Sequence, residues 1–207
     1  MQGHDTYRGS PVRSFGIITA ALALALIAGR AGLPVEPSPS AGAPDPRELT
    51  QWVAKGRIAL VAQGEGGSGS FVWQQRSERT ELTVRGPLGA GGLRIVTDGE
   101  MLELEDGSGE QLDGEAARRA LEARLGTNLP LAELRYWMLG IPAPERPGMG
   151  PVQQTAGAVP GFVQGAWVVS YEQFQPARQW SLPARLTAFT GDVKVRMVVD
   201  DWQFPAQ

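Results

Sequence analysis

Few residues in this chain are able to do covalent or metal chemistry. Cysteine is absent, and the one histidine is His4, close to the start of the 207 residues. The folded region therefore has no thiolate nucleophile, no Cys/His zinc site and no Ser-His-Asp triad. The sequence also lacks a Gly-x-x-x-x-Gly-Lys-Ser/Thr loop for ATP. What remains is carboxylate or arginine-assisted chemistry, with Asp200-Asp201 the most suggestive pair. Adjacent strand residues point to opposite faces. These two are therefore expected to be solvated or hydrogen-bonded at a strand end, not to form a catalytic dyad. No enzymatic activity, metal or cofactor is expected.

Composition points to a binding protein. Hydrophobic residues make up 42% of the chain and charged residues 20%, which is globular rather than disordered. The formal net charge is -3, with no basic stripe of the kind nucleic-acid binding needs. A chain of this length suggests one domain with short accessory segments.

The first thirty residues read as an address. Arg8 and Arg13 precede an apolar run from Phe15 to Gly29, and Arg30 ends it. Fifteen helical residues rise only about 22 Å, short of a bilayer's hydrocarbon core. The pattern is that of a secretory signal, with an uncleaved anchor as the alternative. Residues 31–46 follow, carrying Pro34, Pro37, Pro39, Pro44 and Pro46 among Ala, Gly and Ser. Such a segment favours extended conformations and serves as a linker. The folded domain is expected over 47–207.

In that domain the spacing predicts a short helix over Arg47 to Ala54, then alternating strands. Ile58, Leu60 and Ala62 share a face, as do Phe71 and Trp73, Leu82 and Val84, Leu93 and Ile95, and Leu102 and Leu104. Gly64-Glu65-Gly66-Gly67, Asp98-Gly99 and Asp106-Gly107 read as turns. Five strands so closely spaced leave no room for helical crossovers and make an antiparallel meander.

Two helices interrupt the sheet. The first has Asp113 as N-cap, Glu115 in its first turn, Ala117, Leu121 and Leu125 on one face, and Gly126 at its end. The second starts near Pro130 and carries Leu131, Leu134, Trp137, Met138 and Ile141 on an apolar stripe, with Glu133 and Arg135 on the polar side. Residues 143–164 read as loop with one short strand at most. Strands then resume around Trp167, Val169 and Tyr171, around Leu186 and Ala188, and from Val193 to Val199 after a Gly191-Asp192 type II′ turn. A twisted sheet curled around two apolar helices satisfies the pattern. Periodicity leaves open whether the inside is a packed core or a cavity.

Several stretches resemble the LolB family of outer-membrane lipoprotein receptors. They are Phe71-Val72-Trp73-Gln74-Gln75, Gly86-Pro87-Leu88-Gly89, the run Leu134-Arg135-Tyr136-Trp137-Met138-Leu139-Gly140-Ile141-Pro142, and the closing Val193 to Trp202 strand. The run from Leu134 to Pro142 is the most specific. Ile27-Ala28-Gly29 looks like the start of a lipobox, but Arg30 stands where the lipidated cysteine belongs. The resemblance implies a mainly β fold with some α: an incomplete antiparallel β-barrel with a helical lid over an apolar cavity. It also implies acylated lipoproteins as cargo, a LolA-like carrier protein and outer-membrane lipid as partners, and a location on the periplasmic face of the outer membrane. A monomer is expected. A soluble carrier of the LolA type is the alternative.

Two sets of site residues follow. The resemblance implies that an exposed leucine on a protruding loop places cargo in the membrane, and the match is Leu88. Independently, Pro87 and Gly89 suit a tight turn with Leu88 at its tip, although a leucine folded back onto the body is equally compatible. The cavity is expected to be lined by Phe71, Trp73, Leu82, Val84, Leu93, Ile95, Leu134, Trp137 and Met138. Any of these nine could instead be simple core.

Overall fold

The structure is a computed structural model, and it describes residues 44–62, 64–87, 91–125, 129–144, 153–155 and 159–205. A 3-10 turn, Pro46–Glu48, opens it, with the Asp45 carboxylate accepting from the Arg47 amide at 2.9 Å. Six strands follow: β1 (Gln51–Ala62), β2 (Glu65–Arg76), β3 (Arg79–Arg85), β4 (Gly92–Thr97), β5 (Leu102–Asp106) and β6 (Gln111–Asp113). Two helices come next, α1 (Gly114–Leu125) and α2 (Leu131–Met138). The chain ends in β7 (Gln153–Gln154), β8 (Gly161–Gln164), β9 (Trp167–Ala177), β10 (Trp180–Thr190) and β11 (Val193–Gln203).

The eleven strands form one antiparallel sheet in the order β6-β5-β4-β3-β2-β1-β11-β10-β9-β8-β7. Each half is a meander, and the first and last long strands join them, with Ile58 opposite Met197 and Leu60 opposite Val195. One buried apolar cluster draws on β1 to β5, on β8 to β11 and on both helices, so the sheet curls around a shared interior. Its free edges, β6 and β7, are the strands that the two-helix segment connects. The fold is an incomplete antiparallel barrel with a helical cover.

Several local expectations change. The helix expected over Arg47 to Ala54 is only the turn at Pro46–Glu48, and β1 starts at Gln51. Trp52 and Ala54 are buried and alternate with less buried neighbours, because pairing with Gln75 and Trp73 on β2 fixes them in a sheet. Tertiary pairing overrides the local helical spacing here. The turn read at Gly64-Glu65-Gly66-Gly67 is tighter: Ala62 pairs with Glu65, and Gly66 and Gly67 lie within β2 opposite Val61 and Leu60. Asp113 ends β6 and directly precedes α1, whose first residue Gly114 takes a positive φ of 49°. Ala117 and Leu121 of α1 face the core as expected. The Leu125 side chain and Gly126 lie outside the described residues. At Gly191-Asp192 only the glycine has positive φ, as a type II′ turn requires.

The join between the halves is close and irregular. Lys55 faces Asp201 and Gly56 faces Val199, which leaves Asp200 as the extra residue of a β-bulge. The bulge corrects the expectation that Asp200 and Asp201 point to opposite faces: both are exposed, Asp200 pairing with Arg57 at 3.1 Å and Asp201 accepting from Gln203 at 2.7 Å. A Cβ on Gly56 would sit 2.0 Å from the Val198 carbonyl oxygen. Gly56→Ala must therefore push β1 and β11 apart, and denaturant unfolding is expected to show a loss of about 1–3 kcal/mol.

Candidate functional site

The interior is built as rows running across the strands. Ala54, Trp73, Leu82, Ile95, Leu104 and Leu112 occupy consecutive register positions from β1 to β6. One step along, Gly56, Phe71, Val84 and Leu93 make a second row. The structure thus brings the six strand candidates for the cavity together on one inner face. Phe71, Trp73, Leu82 and Ile95 are buried, and Val84 and Leu93 are half-buried against the same cluster. Leu134, Trp137 and Met138 of α2 are buried in that cluster too.

Opposite these rows, the second meander contributes aromatic residues not expected in the site: Trp167 and Tyr171 from a predicted strand, and Phe162 from the segment read as loop. Trp137 packs against Phe162 on β8 and Trp167 on β9, with ring centroids 6.5 and 5.8 Å away. Tyr171 lies 6.1 Å from Phe162. At the join, Trp52 stacks on Trp73 at 5.8 Å and meets Trp202 edge-on at 5.2 Å.

Polar bonds hold α2 on both sides. Gln164, 2% exposed, accepts from the Trp137 indole at 2.8 Å and from the Ala143 amide at 3.0 Å, and donates to the Ala143 carbonyl at 2.8 Å. The Tyr171 hydroxyl donates to the Trp137 carbonyl at 2.9 Å. Across the barrel, Arg135 donates to Glu78 at 2.6 Å and to the Ser77 carbonyl at 3.2 Å, tying the helix to the β2–β3 turn. Arg135 was expected on the polar side of α2 but is 8% exposed. The long side chain covers apolar surface while its head reaches a carboxylate. Burial works against its charge, but the hydrogen bond with Glu78 and the neighbouring Tyr136 outweigh that and hold its pKa above the ordinary value.

A second network holds the turn itself. Gln75, 3% exposed, accepts from the Trp73 indole at 3.0 Å and from the Thr80 hydroxyl at 2.8 Å, and donates to the Ser77 carbonyl at 2.7 Å. Sequence reasoning missed both Gln75 and Gln164. The available signal was a glutamine at an inward strand position, where a polar side chain must find partners.

At the end of α2, Gly140 has a φ of 84°, and a Cβ there would lie 3.0 Å from the Phe174 ring and 3.3 Å from Pro183. The Leu-Arg-x-Trp-hydrophobic-Leu-Gly run is thus a docking sequence in which every named position meets the barrel. α1 buries Ala117 and Leu121, but its polar contacts are exposed: Arg118 donates to the Glu100 carbonyl at 2.6 Å, and Arg124 lies 3.5 Å from Asp106. A cleft of about 230 Å³ opens between the two helices and the β4–β5 hairpin, bounded by Leu102, Arg118, Leu121 and Leu129 among others. Of the loop residues singled out, Pro87 is exposed, while Leu88 and Gly89 lie outside the described residues.

A family described as Outer membrane lipoprotein LolB matches residues 50–202. The chain belongs to the LolB family. An outer-membrane lipoprotein LolB of Nitrosococcus oceani is 30% identical over 193 residues, covering 88% of this chain and 94% of that protein. The LolB of Alkalilimnicola ehrlichii is 33% identical, covering 75% and 78%, and that of Pseudomonas aeruginosa is 29% identical, covering 90% and 95%. Among solved structures, a LolA superfamily protein of Nitrosomonas europaea aligns with a TM-score of 0.46 and 12% identity, covering 76% of this chain and 87% of that one. The family match runs from the residue before β1 almost to the end of β11, so it takes in both meanders and the helical cover.

Two measurements test the fixing of α2. Gln164→Leu leaves the Trp137 indole and both Ala143 backbone groups without their partner, and thermal or denaturant unfolding is expected to show a loss of about 3 kcal/mol. Burial also pushes the Tyr171 hydroxyl far above its ordinary pKa. That stability is intact below pH 10 and falls above it, because the unfolded chain ionises there and the folded chain does not. The fall is expected at about 1.4 kcal/mol per pH unit and should vanish in Tyr171→Phe.

Proposed function

We propose that this protein accepts acylated lipoproteins from a LolA-like carrier, shelters their acyl chains in the barrel interior, and delivers them to outer-membrane lipid. It acts as a monomer at the periplasmic face of that membrane. Residues 1–30 serve as the export address and 31–46 as a tether for the domain. The observation that carries the reading is the inner face itself. Rows of apolar side chains from β2 to β5 confront Leu134, Trp137 and Met138 beneath a cover pinned at a few polar points. The buried polar groups Gln75, Thr80, Gln164 and Tyr171 are already engaged in hydrogen bonds, which suits a passive container better than a reactive site.

The physics needs no energy source. Burying a methylene is worth about 0.8 kcal/mol, so an acyl chain of about sixteen carbons gains on the order of 10 kcal/mol before ordering costs. The bilayer offers a similar gain. A preference of about 1.4 kcal/mol at each handover biases it tenfold. Entry is on the α1 side, where the polar contacts are exposed and contribute about 0–1 kcal/mol each. Phe71, Trp73, Leu82, Val84, Leu93 and Ile95 then meet the chain from the sheet. Leu88, beside the exposed Pro87, contacts the bilayer at release.

A second reading is a soluble carrier, favoured by Arg30 at the position of the lipidated cysteine. The mass of the mature N-terminus separates the two, since no lipid adduct forms on arginine. The main reading is tested by mixing the protein with a donor carrier bearing labelled lipoprotein. Label is expected to move to this protein and then to liposomes. Leu88→Glu should accept label normally but insert it at least about tenfold more slowly, a loss of roughly 1.4 kcal/mol. Equal insertion by both proteins removes the role given to Leu88, and failure of any label to reach the unaltered protein removes the receptor reading.

A further inference from the structure

Acyl binding leaves a groove on the outside of the sheet unexplained. It measures about 690 Å³ and runs up to Pro87. Small residues, Ser68, Gly69 and Ser70, line one part of it, and Arg57, Arg185 and Arg196 line another. These small residues belong to the Gly/Ser-rich half of β2. Gly69 permits a close approach, since a Cβ there would sit 2.1 Å from the Arg85 carbonyl oxygen. The groove and the loop that follows β3 are therefore built on the same backbone contact.

The register orders this face. Ser70, Arg57, Val198 and Arg185 lie side by side on β2, β1, β11 and β10. The two arginines thus stand two strand spacings apart, about 10 Å. The next row has Ala59, Arg196 and Thr187, and the row nearest the hairpin turns has Val61, Lys194 and Phe189. Val61 and Phe189 are 44% and 42% exposed, one on each side of Lys194. Arg57 pairs with Asp200, Arg196 pairs with Glu172 at 2.8 Å, and Asp192 sits on the adjoining turn. Arg85, Arg185 and Lys194 have no acidic partner among the described residues. The face is thus locally positive on a chain whose net charge is -3. Exposed apolar side chains at a tip, with basic side chains behind them, match a bilayer's boundary between acyl chains and phosphates.

We propose that this outer face docks on an anionic lipid bilayer. Val61 and Phe189 enter the interface, and Arg57, Arg85, Arg185, Lys194 and Arg196 contact lipid phosphates. The inference rests on the delivery role proposed above and names the lipid chemistry that holds the protein at the membrane while cargo leaves.

The test uses the full chain with vesicles of phosphatidylcholine alone or with phosphatidylglycerol added. Arg185→Gln with Lys194→Gln, and separately Arg85→Gln, remove charges that have no described partner. Thermal unfolding is expected to match the unaltered protein. Binding to phosphatidylglycerol vesicles should fall about fivefold for each charge removed, with a shallower salt dependence, while binding to neutral vesicles is unchanged. Equal binding of the variants to the anionic vesicles overturns the proposal. So does retained vesicle binding with lost uptake from the donor carrier, which would assign the face to an acidic protein. If the unaltered chain takes no label from the carrier yet shows the charge-dependent vesicle binding, the delivery role fails and this docking face stands.

Discussion

The pairing of β1 with β11 makes the interior possible. Each meander alone is an open antiparallel sheet with an apolar face that its own strands cannot cover. Joined, they form one sheet with residues from opposite ends of the order, such as Leu104 and Val169, in one buried cluster. The join is also where the backbone is most constrained. Gly56 lies against Val198, and the bulge at Asp200 shifts the register so that Trp202 comes opposite Ala54 and meets Trp52. A bulge increases local twist and bends the strand that carries it. Here it sits where two sheets of ordinary curvature must become one strongly curved sheet.

Much of the strand architecture was legible in the sequence, because inward apolar side chains alternate cleanly wherever one face is buried and the other wet. Phe71 with Trp73, Leu82 with Val84, and Val193 through Val199 gave their faces by that rule. The helical stripe from Leu131 to Met138 was equally readable. The start of β1 was not. Leu49, Trp52 and Val53 fit helical spacing locally, and only pairing to β2 and β11 decides the matter. Residues Gly66 and Gly67 misled for the opposite reason: glycine usually marks a turn, but here it lies inside a strand next to a groove floored by small residues. The candidate site was legible as a set of apolar positions, while its polar fastenings were hidden. Gln164 and Glu78 act through partners distant in the chain, 57 residues away for Glu78 and Arg135, which no local pattern encodes, whereas the partners of Gln75 lie within five residues but only the fold buries it.

The same motif that carries the family resemblance also explains the mechanics of the cover. In the run from Leu134 to Gly140, Leu134 and Met138 supply buried area, Arg135 reaches one rim, Trp137 reaches Gln164 on the other, and Gly140 lets the chain leave the helix past Phe174 and Pro183. None of these roles requires chemistry on a substrate. A motif of this kind specifies the position of a helix relative to two walls of the barrel.

The strength of that fastening differs between the two helices. The bonds from α2 to Gln164, Tyr171, Glu78 and Ser77 contribute about 1 kcal/mol each in net terms, or roughly 4 kcal/mol together. Its buried aliphatic and aromatic side chains add to this. The exposed pairs of α1 contribute far less. Both helices also bury apolar side chains, Ala117 and Leu121 from α1 and Leu134, Trp137 and Met138 from α2, so the difference between them lies in their polar contacts. That difference follows from where the polar partners lie: Gln164 and Tyr171, which hold α2, are buried where water cannot substitute for them, while Glu78 and the partners of α1 reach solvent.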